Sequence, residues 1–302
     1  GGLGQYVERL LQLARDRGTT QAKLQWSSPL ADGPQKRPKL YRLCTLEQEL
    51  GMAAMFFAAA VRQEGLDAAQ RASPSPWQPL TEAATLLRRA AGVYAHAAEA
   101  LLPRLKPNLA PERPAELLES MALAMAALCL ADAQFLVADH ADAKGSSSRL
   151  VASLYAAASG KYEEAAQTLK GALMDFNRIS DRLMRAIALG SSVASARAWA
   201  TWASYMMEGE EEDMGAALAC ADVAVGKVER CKLICEADPQ WKEGCATELG
   251  WARQVQRRLE SENSIVHFKK RAAKAPPLPE EKMVAKAIPY APSTDTISLF
   301  SQ

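Results

Sequence analysis

From about residue 43 to about residue 268, apolar residues recur at intervals of three and four, and the prolines fall between these periods rather than inside them. Proline cannot continue a helix, and this spacing puts the apolar side chains of each segment on one helical face. The chain therefore reads as a succession of long helices, an all-α fold. "TLEQELGMAAMFFAAAVRQEG" runs from Thr45, placed to cap a helix, to Gly65, placed to stop one. "LTEAATLLRRAAGVYAHAAEALLPRL" follows the break "SPSPWQP" and carries Leu86, Ala90, Val93, Ala97 and Leu101 as one stripe. A second break, "KPNLAPERP", precedes the next helix, and the turn "KGSSSR" follows it. Leu150 to about Leu173 forms another, with a weak point at Gly160. Ile179, Leu183, Ile187, Trp199, Trp202 and Met206 mark the one after it, and two more lie near 213 to 236 and 240 to 268. Long helices joined by short turns must lie antiparallel, and abundant alanine lets their backbones approach closely. The expected shape is an elongated stack of long antiparallel helices.

The helix within that stack that most needs explaining is "LAMAALCLADAQFLVADHA", residues 123 to 141, apolar on nearly every side yet carrying Asp132, Gln134, Asp139 and His140. A helix apolar all round is packed on several sides by neighbours. Gln134 then reads as a buried amide bridging helices, since an unsatisfied amide costs about 1 to 3 kcal/mol. Arg, Glu, Asp or Gln interrupt the richest apolar windows before about 18 residues pass, so no bilayer-spanning segment is expected.

The two ends break the helical pattern. Residues 17 to 42 have no helical period and accommodate a short strand or loop beside Trp26. From Ala275 the chain is proline-rich, "APPLPEEKMVAKAIPYAPSTDTISLFSQ", and reads as an extended tail packed on, or trailing from, the helices. The expected division is a helical domain over 1–274 and a tail over 275–302. Order in the tail requires a groove for Leu278, Val284, Ile288 and Tyr290. "SLYAAASGKYEEAAQTLKGAL" has the small-aromatic-small rhythm of a tetratricopeptide pair, but no second copy follows at about 34 residues.

Chemistry is hard to find. The net charge is +1, from 36 basic and 35 acidic residues, which removes the broad basic footprint of a nucleic-acid binder. His96, His140 and His267 lie on different helices, and no metalloprotease, nucleophile-elbow, phosphate-loop or dinucleotide motif occurs. Asp139 and His140 are adjacent, which on a helix points them about 100° apart and makes a poor acid/base dyad. "EGEEEDM", residues 208–214, lacks the alternation of a calcium loop and reads as a solvated turn. The six cysteines, at 44, 129, 220, 231, 235 and 245, show no zinc spacing and read as buried free thiols. No catalytic residue, metal or cofactor is expected. Lys269, Lys270, Arg271 and Lys274 crowd the end of the last helix, where cations complement the helix dipole. A weak membrane or acidic-partner contact is the alternative for them.

Several segments, in this order, resemble the Bro-domain family, the endosomal-targeting BRO-like modules of the Alix and Brox type, in its divergent plant or algal form. They are "LEQELGMAAMFFAAAVRQEG", "LLRRAAGVY", "LADAQFLVADHA", "RLVASLYAAASGKYEEA" and "PPLPEEKMVAKAIPY". The likeness covers about residue 24 to residue 292. Asp132 stands where the family usually has Gln, Phe135 where it has Glu and His140 where it has Lys, so the polar face of that helix has drifted. The family's opening strands and first helices look shortened or absent before Gly1, and the start "GGLG" without Met suggests a processed or trimmed form. The end "LFSQ" has no Cys for a prenyl anchor, so no lipid anchor is expected.

The resemblance implies a boomerang-shaped scaffold with a tetratricopeptide-like middle and no enzymatic activity. Its concave groove would bind the C-terminal amphipathic helix of an ESCRT-III subunit, placing the protein in the cytoplasm, peripheral to endosomal membranes. The family's groove contacts fall on Val137, Leu150 and Leu154. On that reading Leu154→Asp abolishes binding and leaves the fold intact. The alternatives are a structural subunit of a larger, organellar assembly and, less favoured, an α-helical enzyme.

Overall fold

The computed structural model describes residues 2–17, 21–31, 39–71, 78–105, 113–175, 179–208, 212–236 and 238–291. α1 (Gly2–Arg17) lays Val7, Leu10 and Leu11 on α2 (Leu46–Arg71). Between them β1 (Gln21–Ser27) and β2 (Leu40–Thr45) form an antiparallel hairpin, Leu24 opposite Leu43 and Trp26 opposite Tyr41, with an irregularity between Gln21 and Leu24. An opening helix and a hairpin thus precede α2. Glu49, 3% exposed, accepts from Tyr6 Oη at 2.7 Å and from Trp26 Nε1, and so joins α1, β1 and α2.

Thr45 caps α2 as its position suggests, Oγ1 accepting from Gln48 N at 3.3 Å. Gly65 does not stop the helix, which continues to Arg71. Its role is spacing: a Cβ there would meet the Ala83 carbonyl and the Leu87 side chain at 3.2 and 3.1 Å. α3 (Gln78–His96) passes through a π-helical turn (Ala97–Leu101) into the short α4 (Leu102–Leu105). Pro103 has no N–H to give to the preceding turn, which accounts for a widened turn just before it.

The remaining helices are α5 (Glu119–Ala143), α6 (Ser148–Asp175), α7 (Asp181–Tyr205), α8 (Met214–Cys235) and α9 (Pro239–Glu262). Ile179 precedes α7 and pairs with Ala31 in an isolated bridge. Asp213 and Asp238 cap α8 and α9 by accepting from Ala216 N at 2.9 Å and Gln240 N at 3.1 Å. Each helix packs chiefly on its neighbours in chain order, α2–α3–α5–α6–α7–α8–α9, the one-dimensional stack expected from short antiparallel connections.

α5 is long and apolar enough to cross a membrane by length and composition, contrary to the expectation that no segment would be. Most of that stretch is buried, between α3 and α6 and against α2 and α7. Its apolarity is that of a helix with neighbours on several sides.

The proline-rich segment after α9 is extended and lies on the helices as far as Ala291; residues 292–302, including "LFSQ", fall outside the described set. This strap crosses the stack from α6 to α3. Lys282 N donates to Ser153 O at 3.1 Å, Ile288 N to Arg88 O at 3.0 Å, and Arg88 Nε to Lys286 O at 2.7 Å. Ala285 is 3% exposed, and Tyr290 meets His96 edge-on at 5.4 Å. Gly160 leaves α6 unbroken and makes room for the Glu281 carboxylate, which a Cβ there would meet at 2.9 Å.

Gly92 has a stricter reason, because a Cβ there would run into the Ile288 carbonyl of the strap. Backbone cannot yield as a side-chain tip can. Gly92→Ala is expected to cost about 1 to 3 kcal/mol, as overpacking does, and to speed hydrogen exchange at Ile288 N. Unchanged exchange would show that the strap does not depend on this approach.

Candidate functional site

α5 and α6 are joined by a tight turn at Gly145, whose φ of 68° is left-handed and suits glycine. Gly145 N donates to Asp142 O and Ser146 N to Ala141 O, closing α5. Ser147 opens α6, its Oγ accepting from Leu150 N at 3.4 Å. Val137 therefore approaches the turn on one helix as Leu150 and Leu154 leave it on the other.

Those three residues share one apolar cluster with Ala138, Val151 and Tyr155. Phe135 closes one side, edge-on to Tyr155 at 5.4 Å, and Leu278 of the strap packs on the same cluster. Burial separates the three. Val137 and Leu150 are half-buried, whereas Leu154 is 3% exposed and its carbonyl accepts from Gln134. Leu154 is thus the floor of this surface and part of the core. A carboxylate at 154 would be buried without a partner, so Leu154→Asp is expected to damage the fold, against the earlier expectation.

Polar groups anchor the underside. Tyr155 Oη donates to Asp139 Oδ1 at 2.6 Å, and Arg197 holds Glu248 through two bonds of 2.8 and 2.7 Å while lying 4.3 Å from the Trp251 ring centre. Burial pushes the Asp139 carboxyl up, partly opposed by the Tyr155 hydroxyl and Arg197. Burial and Asp139 raise Tyr155 as well. Burial and Lys144 lower the His140 imidazole, which favours its neutral form near pH 7. These groups fix α5, α6, α7 and α9 relative to one another. Among the described residues no cluster of three His, Cys, Asp or Glu could hold a metal.

Val137 and His140 also line a pocket of about 240 Å³ with Leu80 and Ala84 of α3 and Val284 of the strap. Sequence periodicity had no means of finding this pocket, since it needs the strap docked beside α3. Gln134 was legible as a bridging amide, but not the partner it bridges to. Its Nε2 donates to Leu154 O at 3.1 Å and Lys282 O at 3.0 Å, and its Oε1 accepts from Val284 N at 2.9 Å and Ala285 N at 3.0 Å. One fully buried side chain thus fastens α5 to α6 and to the strap.

The C-terminal cations follow a second π-helical turn (Asn263–His267), which ends at Phe268 with φ 52°. Arg271 is committed within the chain, 3.0 Å from Asp222 and 2.7 Å from Glu260. Lys269, Lys270 and Lys274 are exposed beside exposed Ile265, Val266 and Phe268. Part of "EGEEEDM" lies outside the described residues.

Against this geometry, the sequence of residues 5–302 matches the family model of the BRO1-like domain. No curated protein matches the chain. Several solved structures share its fold. The ALIX BRO1 domain in complex with CHMP4C superposes with a TM-score of 0.72 at 14% identity, over 96% of this chain and 78% of that one. ALIX with the SIVmac239 PYKEVTEDL late domain gives 0.74 at 13% identity, over 97% of this chain and 40% of that one. A Bro1 domain studied for endosomal targeting gives 0.68 at 14% identity, over 99% and 78%. A match running nearly end to end, on a strapped stack of antiparallel helices, means that the chain belongs to the BRO1-like domain family.

Proposed function

We propose that the chain is a non-enzymatic adaptor, cytoplasmic and peripheral to endosomal membranes, whose α5–α6 surface receives the C-terminal amphipathic helix of an ESCRT-III subunit. The observation that carries this reading is the convergence of Val137, Leu150 and Leu154 in one cluster at a helical hairpin, the first two half-buried. The fold it shares with an ALIX domain complexed to CHMP4C supports the same reading. An amphipathic helix seats its apolar face in such a groove without chemistry. Val137 makes a smaller contact than an aromatic would. Burying the exposed parts of Val137 and Leu150 on a Leu154 floor contributes about 1 kcal/mol from each, well below what a micromolar complex requires, so the rest of the partner helix must supply the remainder. Asp132, a departure from the family pattern, is accounted for internally by Arg62 and Tyr162. Lys269, Lys270 and Lys274 would supplement membrane proximity weakly, without Arg271.

Leu150→Asp is the test, because Leu150 is half-buried and its backbone N–H is already capped by Ser147. A synthetic ESCRT-III C-terminal helix should bind the variant at least about tenfold more weakly, the size of one lost apolar contact replaced by a charge, with the melting temperature almost unchanged. A folded variant that binds as the parent does would remove this surface from the function.

A further inference from the structure

α8 and α9 form the last pair of the stack, and a groove of about 460 Å³ runs between the C-terminal half of α8 and α9. Its floor is Leu249, 7% exposed, with the thiols of Cys235 and Cys245, 1% and 5% exposed. Its walls carry Lys232, Lys242, Arg253 and Arg257 against one carboxylate, Glu236. Arg253 is held by Glu229 at 2.7 Å, but no described carboxylate pairs with Lys232, Lys242 or Arg257. The strap, which is hydrogen-bonded to α6, α5 and α3, contributes nothing to this lining. The α9 wall reaches from Lys242 to Arg257, about 22 Å at 1.5 Å per residue.

We propose that this α8–α9 groove is a second docking surface, separate from α5–α6, for an acidic amphipathic segment of a partner protein. Apolar side chains of the segment would lie over Leu249, Ala246 and the two thiols, and its carboxylates would meet Lys232, Lys242 and Arg257. The distribution of charge selects the occupant. A single-headed anion would need its cations gathered at one end, whereas these are spread over about four helical turns beside an apolar floor. Ala246 and Gly250 stand exposed on the floor's edge, and a Cβ at Gly250 would meet nothing within 4 Å, so a partner backbone can come close.

The test uses the full chain and a fluorescein-labelled designed helix of about five turns, with Leu at i, i+3, i+4 and i+7 and Glu on the flanks. Its charge-reversed Lys version is the control. The acidic helix should bind, weaken with added salt, and slow alkylation of Cys245 by iodoacetamide. Lys242→Glu with Arg257→Glu should weaken it at least tenfold, and Ala246→Trp, which fills the groove without changing charge, should do the same if the double variant is unstable. Leu150→Asp should leave this binding unchanged, so failure of the α5–α6 reading and failure of this one are separable. Equal binding of the Lys helix, insensitivity to both groove variants, or loss through Leu150→Asp would each overturn the proposal. So would retention of the chain on phosphatidylserine vesicles, lost in the double variant, with no binding of the acidic helix.

Discussion

Replacing Gln134 by Leu is expected to destabilise the protein by about 2 kcal/mol and to free the strap. Gln134 is fully buried and uses its whole amide: two donations, to Leu154 O and Lys282 O, and two acceptances, from Val284 N and Ala285 N. Leucine is of similar size, so the loss is polar rather than steric. Lys282 and Val284 are exposed, and water can replace their bonds. Ala285 N is buried and cannot be rehydrated in place, and a buried group left without a partner costs about 1 to 3 kcal/mol, whereas Leu154 O loses its second donor but keeps its place in the α6 ladder. The cheaper response is for the strap to lift. Trypsin should then cut after Lys282 and Lys286 faster than in the parent, and urea midpoints should fall. Unchanged midpoints with unchanged cleavage would mean that the strap is held by its apolar contacts alone.

The strap also marks the boundary of what one sequence discloses. Helices announced themselves through apolar spacing, because each must bury one face, and their order in space followed from short connections. The α5–α6 turn was legible through Gly145 and its serines. Gly65 and Ile179 misled for opposite reasons. Gly65 looks like a stop but serves a helix crossing, and Ile179 continues the apolar period of α7 but lies in a bridge to Ala31. An extended segment has no period that names its partner, so the docking of residues 275–291 had to await Gln134 and Gly92. Among the site residues, the resemblance brought Val137, Leu150 and Leu154 together. Which of them faces outward depends on burial from both helices and Leu278, and spacing along one helix carries no such information.

Asp132 is where a family likeness and a local structure pull apart, and removing its carboxylate should have an effect of similar size. Arg62 donates to Asp132 Oδ2 from Nε at 3.1 Å and from Nη2 at 2.7 Å, while Tyr162 Oη donates to Oδ1 at 2.7 Å. The side chains of Arg62 and Asp132 are 23% and 12% exposed, so the pair is mostly withdrawn from water. Burial and the Asp132 carboxylate push the Tyr162 hydroxyl well above its ordinary range, so it stays a donor. The cluster links α2, α5 and α6, an arrangement in which Asp works because two donors converge on it. Asp132→Ala leaves a guanidinium and a phenol facing each other without an acceptor, and breaking a buried pair from one side typically costs about 3 to 5 kcal/mol. Partial access of water to Arg62 puts the expected loss near the lower end, about 3 kcal/mol. Removing all three partners should cost much less, because Asp132→Leu with Arg62→Met and Tyr162→Phe leaves no orphaned polar group. Thermal or urea unfolding of the single and triple variants decides the matter. If the triple variant is less stable than Asp132→Ala, the network contributes net binding energy between helices and is more than a satisfied set of buried charges.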